Sequence, residues 1–154
     1  MNLSKPTLLA FLAISALGNV IAAENIVTAQ TLHDGKAERL SAEETKSIVR
    51  AGVEVETYLP STGAYRLWTN DASGKFIASR RGGSANVKSQ GSGEWKVTDD
   101  GKYCVEIEWR TAMNGPDRTE KWCRSLYRYD GALYLAPKDL TEKGETRFSK
   151  VQFK

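Results

Sequence analysis

The chain has 154 residues, 22 Lys and Arg against 19 Asp and Glu, a formal net charge of +3 and one histidine. Acids and bases are interspersed, and the only basic pair, Arg80-Arg81, borders a Gly-rich loop. That excludes the concentrated basic face that nucleic-acid binding requires. Two cysteines that are not Cys-x-x-Cys, with a lone histidine, complete neither a structural zinc site nor a dithiol redox motif. No metal and no cofactor is expected.

Residues 1–23 read as a secretory signal. Lys5 supplies the positive n-region, Thr7 to Leu17 the apolar run, and Val20-Ile-Ala-Ala23 the small-residue cleavage site. The run is shorter than the ~20 residues of a membrane-spanning helix. No cysteine near Ala23 offers a lipid anchor. The mature protein is therefore expected to be exported, periplasmic or extracellular, with no membrane attachment after cleavage. Residues 24–38 show no periodicity and read as a flexible arm that carries His33, leaving 39–154 as a single β-rich domain.

Ser41 followed by Glu44 forms a capping box, and Gly52 supplies a stop, so Leu40 to Gly52 predicts one short helix burying Ile48 and Val49. From Val53 the period changes to alternation. Strands are predicted at Val53 to Leu59, Tyr65 to Thr69, Lys75 to Arg80, Glu94 to Thr98, Lys102 to Arg110, Thr119 to Tyr129, Ala132 to Ala136 and Thr146 to Phe153. They are separated by turn-forming clusters such as Asn70 to Gly74, Asp99-Asp100-Gly101 and Asp130-Gly131. Arg81 to Gly91 reads as a loop, and the glycines near it as flexibility. The class is mostly β: an antiparallel meander forming a curved sheet or a small up-and-down, lipocalin-like barrel, with the helix at one end.

In an oxidising compartment Cys104 and Cys123 are expected to close as a cross-strand disulfide. Placing them opposite each other sets a register. Glu106 then faces Lys121 and Glu108 faces Thr119 on the cysteine face, while Val105 meets Trp122, Tyr103 meets Arg124 and Trp109 lies near Arg118. Such pairs stabilise a sheet by roughly 0.2–1 kcal/mol each. A bridge over a loop of about twenty residues adds on the order of 3 kcal/mol in the chain-entropy model. Ile107 opposite Glu120 is a poor pair, for which a bulge near the loop is one remedy.

If the Val105 face is interior, Tyr103, Trp109, Trp122, Arg124 and Leu126 are interior too, and Arg128 can follow. Arg124, with Trp95, Tyr103 and Trp122, would then line a pocket for a small molecule with an acidic group. In the other arrangement a bulge near Cys123 switches faces, burying Tyr127 and Tyr129 and freeing both arginines to solvent. The cost of a buried, unpartnered cation weighs toward that second arrangement. For catalysis, His33 sits in the arm, out of reach of a nucleophile. Glu106 and Glu108 share a strand face but are met by Lys121 and Thr119, and Asp99-Asp100 belongs to a turn. No catalytic constellation is found, and the chain is not expected to be an enzyme.

Gly93-Glu94-Trp95 is similar to the Gly-x-Trp of lipocalin and avidin-like barrels, although in lipocalins that motif marks the first strand and here several strands precede it. A broader likeness covers most of the mature chain. Leu40-Ser-Ala-Glu43, Gly52, Thr62-Gly63, Gly74-Lys-Phe76, Gly93-Glu-Trp95, Asp100-Gly-Lys-Tyr-Cys104 and Lys121-Trp-Cys-Arg124 together resemble domain-of-unknown-function family 995. The resemblance implies a small exported bacterial β-rich domain with no assigned activity, and it transfers no catalytic residue. Three readings follow. The first is a carrier or sensor of a small amphipathic or anionic ligand. The second is a protein-interaction module, such as a hydrolase inhibitor, acting through Arg81–Gly91 or Ala112–Arg118. The third is a carboxylate-dependent hydrolase using Glu106 or Glu108. Oligomeric state is not legible in the sequence.

Overall fold

The computed structural model describes residues 27–59, 62–82, 89–111, 118–136, 140 and 148–154. The signal segment, and most of the two loops on which the interaction-module reading depends, lie outside those residues. Strands β2 (Glu54–Leu59), β3 (Ala64–Thr69), β4 (Lys75–Gly82), β5 (Ser89–Val97), β6 (Tyr103–Thr111), β7 (Arg118–Tyr129), β8 (Ala132–Ala136) and β9 (Ser149–Phe153) pair in chain order, all antiparallel. Strand β9 returns to β2 through Val55↔Phe153 and Thr57↔Val151, which closes an eight-stranded up-and-down barrel. A two-residue strand, β1 (Glu38–Arg39), pairs with Arg128 and Tyr127 of β7. At Asp130 and Gly131 both residues have positive φ, which matches the twist a two-residue hairpin needs.

Alternation sorts the two faces. Val55, Trp68, Phe76, Ala78, Tyr103, Val105, Ile107, Trp109, Leu126, Leu135 and Val151 form the interior core. Helix α2 (Ala42–Ile48) carries the predicted capping box: Ser41 Oγ accepts from Glu44 N–H, and the Glu44 carboxylate accepts from Ser41 N–H at 2.9 Å. This helix and its flanks pack Leu40, Ile48 and Val49 onto the core at the end holding the β3–β4 and β5–β6 turns. Arg128 ties that end together, 2.9 Å from Glu38 and 3.5 Å from Glu44. It is therefore an exposed ion-pair partner and not part of the interior.

Two local expectations are corrected. The stretch read as a flexible arm is folded from Val27 onward. Helix α1 (Ala29–Asp34) is capped by Thr28, and Val27, Ala29 and Leu32 pack with Tyr127, Tyr134, Ala136 and Phe148 on the barrel's outer wall. Six residues offer too few turns for periodicity to show, and the burial that holds this helix comes from strands remote in sequence. The second correction concerns Gly91 and Gly93, which are not loop glycines; both lie within β5. A Cβ on Gly93 would stand 2.5 Å from the Phe76 ring, and one on Gly91 would stand 2.9 Å from Ile107 Cγ2. The missing side chains let neighbouring interior residues fill the space. Gly93→Ala is expected to destabilise the domain by about 1–3 kcal/mol through overpacking. A thermal midpoint lowered by several degrees checks this, and an unchanged midpoint refutes it.

Candidate functional site

The hairpin register is the one predicted from the cysteines: Cys104↔Cys123, Tyr103↔Arg124, Val105↔Trp122, Glu106↔Lys121, Ile107↔Glu120, Glu108↔Thr119 and Trp109↔Arg118. The disulfide is closed, with Cα atoms 4.0 Å apart. The ladder is uninterrupted through Cys123, so the face-switching bulge is not formed and Arg124 points inward with Trp122 and Leu126. Tyr127 is nevertheless buried, on the outside, because α1 covers it.

Around Arg124 the barrel interior is charged. Glu120, two residues before Trp122, also points inward. The bulge invoked for its pairing with Ile107 is unnecessary because its partner lies across the barrel. Arg66 Nη2 of β3 stands 2.7 Å from Glu120 Oε2, with both side chains largely buried. Trp109 Nε1 donates to the same oxygen at 3.3 Å, and the Arg66 guanidinium lies 6.0 Å from the Trp109 ring centroid. Arg124 makes no ion pair among the described residues. Its guanidinium rests 4.8 Å over the Trp122 ring, a contact that stabilises a cation without neutralising it.

Several polar atoms in this region are buried without a hydrogen-bond partner among the described residues: Arg66 Nε, Arg124 Nε, Trp122 Nε1 and Thr57 Oγ1. Thr57 is the direct cross-strand neighbour of Arg66. Buried donors are normally satisfied, and each one left unmade costs free energy. Burial is the main cause pushing the Arg66 guanidinium below its ordinary value, with Arg80 and Arg118 adding repulsion and Glu120 opposing. Arg124 is pushed the same way by burial first and by Arg66 second, with Glu120 opposing. Arginine keeps its proton in proteins, so these pressures appear as destabilisation of the folded state.

Tyr103 and Trp95 occupy a different layer. Tyr103 is fully buried, and its hydroxyl accepts from Trp68 Nε1 at 3.0 Å and donates to Asn70 Oδ1 at 3.0 Å. Burial raises its pKa against those hydrogen bonds. Its ring meets Trp95, Trp122 and Phe153 at centroid distances of 6.4, 5.7 and 6.2 Å. Trp95 Nε1 donates to the Asp71 carbonyl at 3.0 Å. Of the four residues read as pocket lining, Trp122 and Arg124 thus bring unengaged polar groups, while Tyr103 and Trp95 form an aromatic backing whose polar atoms are occupied. Glu106 and Glu108 are exposed on the outer wall, with Lys121 Nζ 2.7 Å from Glu106.

The sequence places Trp109 in the interior and Glu120 opposite Ile107 without assigning either to the pocket, and it assigns no site role to Arg66 or Thr57. One signal was present: Arg66 shares the alternation phase of Trp68, a residue too apolar for solvent, and Glu120 had no partner within its own hairpin.

A closed eight-stranded antiparallel barrel with a charged, aromatic-lined interior is the class of protein that these features define. The chain matches the family described as protein of unknown function (DUF995) over residues 20–142, and belongs to it. No curated protein and no solved structure matches the chain. Among the described residues no helix is long and apolar enough to cross a membrane.

Proposed function

We propose that this protein is an exported binding protein, a carrier or sensor whose barrel interior takes a small organic anion. The acidic group lies against Arg124 and Arg66, and the body lies over Trp122 and Trp109. The observation that supports this reading is the inward-pointing Arg124, which makes no ion pair among the described residues, beside buried donors that lack acceptors among those residues. A structure selected for stability alone has no use for such a group, whereas an anionic ligand supplies the missing acceptors. Binding without chemistry fits a site with no histidine and no nucleophile–base pair among its residues. The disulfide and the small-residue flank at Ala23 support export.

Titration with small aromatic and alkyl carboxylates and sulfates is expected to quench tryptophan emission saturably, through Trp122 and Trp109. Arg124→Ala, folded by circular dichroism, is expected to lose that quenching. Unchanged emission across the whole panel overturns the reading.

A further inference from the structure

Arg124 and Arg66 are not the only cations on the inward phase. Arg80 of β4 continues the alternation of Phe76 and Ala78, is half-buried, and is the direct cross-strand partner of Arg66. Like charges facing each other across a ladder destabilise a sheet, so this pair is not explained by folding. Arg118 of β7 shares the phase of Glu120 and lies opposite Trp109, at the exposed end of the same strand face. Arg80 and Arg118 both add repulsion at Arg66. Against these four arginines, Glu120 is the one carboxylate that shares the inward phase among the described residues of the eight barrel strands. Its 2.7 Å contact assigns it to Arg66. Among the described residues Arg80, Arg118 and Arg124 are left in surplus.

Resting on the anion-binding reading above, we infer that the ligand's head group is a dianion of the phosphate monoester class, bridging Arg124 and the Arg66–Arg80 pair. A single negative charge would leave most of the surplus in place. A phosphate monoester brings two charges and three acceptor oxygens, which suit several guanidinium donors at once. The buried donors fit the same chemistry. Arg66, only 8% exposed, offers Nε, and Arg124 Nε and Trp122 Nε1 likewise lack acceptors among the described residues. The aromatic surfaces of Trp122 and Trp109 beside these donors call for an esterified body and not for phosphate alone.

Isothermal titration with phenyl phosphate and phenyl sulfate separates charge from shape, because the two probes have the same outline. At pH 8 the phosphate is a dianion and the sulfate a monoanion. Phenyl phosphate is expected to bind at least tenfold more tightly. Its advantage should fall severalfold, up to about tenfold, by pH 5, where about nine-tenths of the second charge is lost, while phenyl sulfate holds steady. The groups facing the site are Arg66 on β3, Arg80 on β4 and Arg118, Glu120 and Arg124 on β7; the sulfate arm reports any titration of Glu120. Arg80→Gln should narrow the phosphate-over-sulfate ratio to within about threefold. Inorganic phosphate should bind at least tenfold more weakly than the ester, and equal affinity would reassign the site to phosphate itself. Equal binding of the two phenyl probes overturns the dianion inference but leaves anion binding intact. Binding of neither removes both.

Discussion

Glu120→Ala is expected to lower the unfolding free energy by about 3–5 kcal/mol, the penalty of stripping a buried ion pair of one partner. Arg66 would keep its charge beside Arg80 and Arg118 with no carboxylate to offset it, and Trp109 Nε1 would lose its acceptor. Urea denaturation should show a lower midpoint with an unchanged slope, since the barrel still unfolds as one unit. Removing the cation as well should recover most of the loss. The Glu120→Ala, Arg66→Met double variant is expected to lie closer to the wild type than the Glu120→Ala variant. If Glu120→Ala alone stays within about 1 kcal/mol of the parent, the pair is not buried as described.

Arg124→Met carries the opposite expectation. Methionine retains most of the side-chain length while removing a buried cation that makes no ion pair among the described residues, so stability should rise by about 1 kcal/mol or stay level. The lost contact with the Trp122 ring works against the gain and limits it. Binding should move the other way. Quenching by aromatic anions is expected to weaken at least tenfold, because the head group loses its principal donor. A variant more stable but deaf to anions would show that Arg124 is kept for its ligand at the expense of folding. A variant that loses stability and keeps its affinity would show that the residue is a packing element only.

The β6–β7 hairpin was readable because both of its determinants are local. Strict alternation separates Val105 and Trp122 from Glu106 and Lys121, and the two cysteines fix which residues face each other. The interior pairs were not readable, because Arg66 and Glu120 are brought together only when the meander curls and β9 reaches β2. A hairpin-level view therefore leaves Glu120 stranded opposite Ile107 and suggests a bulge where the barrel supplies a cation. Helix α1 failed for the same reason on the outer wall, where its apolar face is complemented by Tyr134 and Phe148 from far along the chain. Glycine in β5 misled in another way. Composition marks it as a loop former, yet at Gly93 its lack of a side chain is what a crowded interior demands.

The closing pair of the ring has a consequence for how the molecule is made. Val55 in the first barrel strand must find Phe153 in the last, so the ring stays open until the segment through Phe153 has emerged. Until then both flanks of the half-built sheet are bare and able to recruit a neighbouring copy. Nascent molecules cut short before Ser149 would keep those flanks for good, which makes premature termination a route to clumping.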